Sequence, residues 1–210
     1  MKLPRPPLLR GLFAALAAFA LAACNSSQVE HTWKDTSVQS LEFKKVLVLA
    51  PATDGAIRRT VEDTVKKSVP GVEVVPGYTV LPDVASIKQL PLVREAAKRS
   101  GADGIVVLRL VADREELDYG PGGVYPIAPY ATLGGYWGFG RRAIVVAEPM
   151  PTSSRVVVIE TNIYDARSEK LVWSGVTESY NPGRLESLVS DASAAVLAEL
   201  RRQKLIPPAK

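Results

Sequence analysis

The sequence predicts a single mixed α/β (α+β) domain, with a β-sheet of about five strands in the order βαβαββα and the helices packed on the sheet. Three observations carry this. Short apolar runs alternate with amphipathic stretches between residues 43 and 112, as strands joined by helical crossovers do. Two alternating stretches at 155–165 and 170–179 are separated only by ARSE, which reads as an antiparallel hairpin. The chain has 210 residues and is 47% hydrophobic. That suits one domain, which usually takes roughly 100–200 residues.

Each element follows from its local chemistry. KVLVLA at 45–50 is an apolar run closed by Pro51, and reads as a buried strand. Asp54 is placed to cap a helix that runs through Val69, with Ile57, Val61 and Val65 on its buried face. Pro70-Gly71 stops that helix, and VEVV at 72–75 is a second strand, ended by Pro76-Gly77. Pro91 suits the first turn of another helix, with Val93 and Ala97 buried and Gly101 at its C-cap. GADGIVVLRLVA at 101–112 reads as a turn and a long strand, whose apolar run Ile105 to Leu108 fits a strand covered on both faces. In the hairpin, Val157, Ile159, Thr161 and Ile163 point one way, and Leu171 and Trp173 are expected to share the core face of the second strand. Asn181-Pro182 opens a last helix to about Gln203, with a stripe of Leu185, Leu188, Val189, Ala192, Val196 and Leu200.

Ahead of this domain stands a different kind of segment. A basic leader, MKLPRPPLLR, precedes the apolar run GLFAALAAFA and then LAAC at 21–24. A basic start, a short apolar stretch and small residues before a cut describe a secretory signal. The run is too short to cross a bilayer, which takes roughly 20 apolar residues. LAAC resembles the bacterial lipobox, which implies a signal peptide over 1–23 and lipidation of Cys24, with acyl chains such as palmitate as the membrane anchor. Asn25 follows, and in the enterobacterial sorting rule a residue other than Asp there directs the protein to the outer membrane, facing the periplasm. Residues 24–42 then read as lipidated N-terminus and polar tether, and 43–210 as the domain.

The segment 118–142, DYGPGGVYPIAPYATLGGYWGFGRR, interrupts the order of elements. It is rich in Gly, Pro and aromatic rings and is not expected to hold a regular element. Tyr125, Tyr130, Tyr136, Trp137 and Phe139 are its candidates for partner binding, against the alternative of a mobile insert whose rings fold back on the sheet. Its GGYWGFG lacks the spacing and the strand–turn–helix context of a dinucleotide site.

Much chemistry is excluded. The one Cys and one His rule out an internal disulfide and a zinc site of several Cys or His ligands. No catalytic residue, metal or other cofactor is expected. With Lys2, Arg5 and Arg10 removed, 23 basic residues face 22 acidic ones, so nothing favours nucleic acid. Asp113, Glu115, Glu116 and Asp118 cluster at a strand end and supply an alternative, a cell-wall glycan hydrolase. Adjacent Glu115 and Glu116 face opposite ways on a strand, which favours a solvated strand end instead.

Two stretches resemble known proteins. NIYDARSEKLVWSG at 162–175 resembles a hairpin in uncharacterised bacterial lipoproteins with a domain of unknown function. There an Asp opens the turn and a Lys-x-Val-Trp-x-Gly strand follows; Asp165, Lys170, Val172, Trp173 and Gly175 match, while Glu169 stands where a turn Gly is usual. EAAKRSGADGIVVLRL at 95–110 resembles the helix–Gly-Ala-Asp–strand passage of the TolB amino-terminal domain and of lipoprotein activators of penicillin-binding proteins. The resemblance implies a non-enzymatic envelope module that binds or assembles with an envelope protein or cell-wall partner. A purely structural lipoprotein is the third reading.

Overall fold

The computed structural model describes residues 27–119, 124–126, 144–146 and 151–208. In chain order the elements are β1 (Ser27–Lys34), β2 (Lys45–Leu49), α1 (Gly55–Ser68), β3 (Glu73–Pro76), α2 (Leu90–Ser100), β4 (Gly104–Tyr119), β5 (Val124–Pro126), β6 (Ile144–Val146), β7 (Pro151–Asp165), β8 (Leu171–Tyr180) and α3 (Leu185–Arg202). They fall into two compact units. One is drawn from Met1–Asp113 and Val156–Lys210, the other from Arg114–Arg155.

The expected α/β fold is present, with six strands in the order β1-β8-β7-β4-β2-β3. β2 lies parallel to both β3 and β4, while β8 is antiparallel to β7 and to β1. The crossover β2–α1–β3 steps to one side in the sheet, and β3–α2–β4 steps back across β2 in the opposite direction. A common handedness of crossover then puts their helices on opposite faces. Strand alternation shows the result. Val46 and Val48 join a core with Val65 of α1 and Leu188, Val189 and Ala192 of α3. Leu47 and Leu49 join a second core with Val93, Ala96 and Ala97 of α2. β2 is therefore apolar throughout because both its faces are covered.

The expected caps of α1 and α2 are present, whereas α3 begins at Leu185, beyond the expected opening at Asn181-Pro182, and has no side-chain N-cap. Asp54 accepts hydrogen bonds from the N–H groups of Ala56 and Ile57 at 2.7 and 3.0 Å. Gly101 takes φ 67° and closes α2 through bonds to the Ala97 and Lys98 carbonyls. The predicted buried face of α1 holds at Val65, which is buried in the core, and at Val61, which packs against it, but is corrected at Ile57. Ile57 is 47% exposed, whereas Arg58 and Glu62 are 1% and 0% exposed. Their Nε–Oε1 separation is 3.0 Å. Glu62 also accepts from Ala50 N at 3.0 Å and Tyr78 N at 2.7 Å, and Arg58 donates to the Asp83 carbonyl. The chain leaving β2 and β3 has buried N–H groups that need acceptors. A carboxylate on α1 meets that need, and its arginine partner comes inside with it.

The tether reading of 24–42 is corrected for residues 27–34. These form the edge strand β1, paired from Ser27 with Ser179 to Lys34 with Trp173, with a register shift between Val29 and His31. Ser27 and Ser179 share a buried hydrogen bond of 2.6 Å. The strand is polar because most of it is exposed, and charged edges discourage pairing with other chains. His31 is exposed, and Trp33 is half exposed.

The hairpin stands as expected, with one change. β7 and β8 shift register between Ile163 and Tyr164, so Ile163 opposes Trp173 while Tyr164 opposes Leu171. Val172 is the extra residue of a bulge, which turns two successive side chains to one side. Val172 and Trp173 are accordingly both buried, with Val196, Leu200 and Leu205, and Leu171 is only half-buried. In the second unit, Val124–Pro126 pairs antiparallel with Ile144–Val146. This corrects the expectation that 118–142 holds no regular element: β4 runs on to Tyr119, and Val124–Pro126 find ladder partners beyond the segment.

Candidate functional site

Cys24, Tyr130, Tyr136, Trp137 and Phe139 lie outside the described residues. Tyr125 is placed in β5 opposite Val145. Of the acidic cluster, Glu116 is engaged by Arg114, whose Nη2 lies 2.8 Å from its Oε1. Residues two apart on a strand share a face, so Glu115 between them is turned to the other. The strand thus keeps Glu115 and Glu116 apart, and a cation occupies the nearest acceptor. Among the described residues no group of three His, Cys, Asp or Glu side chains is placed to hold a metal, and no helix is long and apolar enough to cross a membrane.

A groove of about 1100 Å³ lies on the α2 face of the sheet, between α2 and the β7–β8 turn. Leu49, Ile105 and Val107 supply its apolar floor, and charged side chains border it. The turn is built around Asp165, whose carboxylate accepts from Arg167 N, Ser168 N and the Ser168 hydroxyl. Those bonds, the Ser168 N–H first, hold its pKa below the ordinary carboxylate value. Glu169 has φ 59°, the left-handed conformation that a glycine would take at this place. Arg94 of α2 clasps it with two bonds of 2.7 and 2.6 Å, and this lowers the Glu169 pKa. Asp103 accepts from Lys44 N and Lys45 N, while its own N–H and carbonyl bond Lys45 O and Ala166 N.

These contacts say what the familiar motifs do. The Gly-Ala-Asp passage uses its Asp to clamp the starts of β2 and β4 and the hairpin turn. The Asp at 165 forms the turn, and Gly175 makes room for the Trp173 ring, since a Cβ there would lie 2.2 Å from ring atom Cη2. The carboxylates around the groove are thus engaged in positioning backbone and α2, not paired for proton transfer. Sequence reading missed Arg94–Glu169, whose partners are 75 residues apart. It also missed Arg58–Glu62, for which the i,i+4 spacing was the available signal.

No protein-family model matches the chain, and no curated protein matches it in sequence. Solved structures show partial likeness. The PelC dodecamer from Paraburkholderia phytofirmans is 12% identical with a TM-score of 0.42, over 83% of this chain and 96% of that one. Lipoprotein GNA1162 from Neisseria meningitidis is 14% identical with a TM-score of 0.38, over 75% and 98%. Protein XCC0632 from Xanthomonas campestris, assigned to DUF330, is 12% identical with a TM-score of 0.27, over 82% and 89%. Likeness at this level carries no residue roles to the present chain.

Proposed function

We propose that the protein is a lipid-anchored component of the bacterial cell envelope, held at the outer membrane facing the periplasm, that binds or helps to assemble another envelope component and catalyses no reaction. The basic leader, the short apolar run and LAAC carry the reading, with Cys24 as the acylated residue. Ser27, the first residue of β1, is three residues on. At about 3.3–3.6 Å per residue, an anchor at Cys24 keeps that end of the sheet within roughly 10 Å of the lipid attachment. A domain held so short reaches partners close to the membrane surface. The rings of the insert, Tyr125, Tyr130, Tyr136, Trp137 and Phe139, are the surface assigned to that partner, because aromatic side chains offer contact area at low entropic cost.

Metabolic labelling with an alkyne fatty acid tests the anchor. Label is expected on the full-length protein and lost in Cys24→Ala, which accumulates as a precursor; labelling of the variant at the parent level refutes the reading. In-cell crosslinking tests the partner surface. Replacing residues 120–150 with a short Gly/Ser link should remove the crosslinked species while labelling persists, and undiminished crosslinks would show that the partner binds elsewhere.

A further inference from the structure

The face of the sheet that carries α1 and α3 encloses an apolar cavity of about 660 Å³. Val46 and Val106 line its floor, Val65 and Val196 its helical walls, and exposed Pro70 and Pro207 its mouth. The prolines have fixed φ angles and stiffen that opening. The volume falls within the roughly 300–1,000 Å³ of small-molecule sites, which are mainly apolar with a few placed polar groups. Among the lining side chains one is charged, Arg201. Its Nε is buried and has no hydrogen-bond acceptor, whereas the next residue, Arg202, is held by Glu199 at 2.6 Å. A buried donor left unpaired is unfavourable, and an anionic acceptor brought by a ligand would relieve it.

We infer that this cavity binds one aliphatic chain that ends in an acidic headgroup, with the chain among the valines and the headgroup at Arg201. Apolar lining selects the chain, and the cation without an acceptor at Nε selects the charge. A fatty acid and a lysophospholipid share this chemistry. The site is independent of acylation at Cys24.

Photocrosslinking on membranes that contain the full-length protein tests the inference, with a diazirine analogue of palmitate and its uncharged alcohol as probes. Label from the acid is expected on peptides spanning 193–206 and 65–74. Competition by excess palmitate or by excess lysophosphatidate then identifies the headgroup. Val196→Trp, which fills the cavity, should remove the label. Arg201→Gln should weaken labelling by the acid about tenfold, the scale of one charge-assisted hydrogen bond, and leave the alcohol unchanged. If Val196→Trp loses the protease resistance of the parent, Val69→Phe at the cavity wall replaces it. Label confined to other peptides, label that neither lipid displaces, or full labelling of a folded cavity-filling variant would overturn the inference. Equal loss of acid and alcohol labelling in Arg201→Gln would overturn the role of the charge.

Discussion

The packing of Trp173 over Gly175 makes a sharp prediction. Trp173 is 0% exposed, and its Nε1 donates to Gln203 Oε1 at 3.2 Å. Gln203 in turn donates to Thr32 on β1. The indole therefore ties β8 to the end of α3 and, through Gln203, to the edge strand. A methyl group at 175 would lie 2.2 Å from Cη2 and 2.9 Å from Cζ2 and Cζ3. The ring has little room to yield, because it is packed against Val196, Leu200 and Leu205. Overpacking of this kind costs about 1–3 kcal/mol, so Gly175→Ala should destabilise by that amount. For a chain of this size each kcal/mol lowers Tm by roughly 2–4 °C. Trp173→Ala should cost about 3–5 kcal/mol through lost burial and the space left behind, a large share of a typical stability of about 5–15 kcal/mol. With the ring gone, the clash at 175 disappears, so Gly175→Ala should then cost about 0 kcal/mol and the coupling should reach about 1–3 kcal/mol. Urea titrations of the four full-length proteins, followed by circular dichroism, complete the cycle. An equal cost of Gly175→Ala in both backgrounds would refute the steric account.

Three further outcomes follow from the charged groups. Glu62→Leu strands Arg58 in the interior and should cost about 3–5 kcal/mol, while adding Arg58→Met should recover only the part due to the stranded charge, because the Ala50 and Tyr78 N–H groups still lack their acceptor; urea midpoints measure both, and a Glu62→Leu protein as stable as the parent would refute the role of this pair. At position 169 the left-handed backbone disfavours a side chain by about 1–2 kcal/mol, and the solvent-screened ion pair with Arg94 does not offset it. Glu169→Ala keeps the strain and loses the pair, so it should melt below Glu169→Gly; the reverse order would refute the assignment. Asp165 has its folded pKa lowered from the ordinary 3.8 by the Ser168 hydrogen bonds, and Glu169 from 4.5 by Arg94. A lowered folded value means stability that is present above the unfolded pKa and lost as pH falls through the folded one. The stability gap between parent and Asp165→Asn should therefore narrow below about pH 4, and a gap constant with pH would show that the carboxylate charge does not matter.

The sequence by itself determined the β2-to-β4 crossovers, their helix caps and the hairpin, because those signals are local. An Asp immediately before a helical turn, a Gly in the left-handed region after one, and unbroken apolar runs act on neighbouring atoms whatever the rest of the chain does. Cores on both faces of β2 follow from that pattern, since alternate residues of one apolar strand must find two partners. Tertiary structure alone decided the rest. β1 has no apolar period of its own and becomes a strand only by pairing with β8, as when Ser27 meets Ser179 at a separation of 152 residues. The bulge at Val172 turns an adjacent pair inward against simple alternation. Arg58 and Glu62 look like an exposed helical ion pair until the N–H groups of Ala50 and Tyr78 arrive beside them. In each case the deciding partner is a backbone group or strand remote in sequence, and its need for a hydrogen bond exists only once the fold has formed.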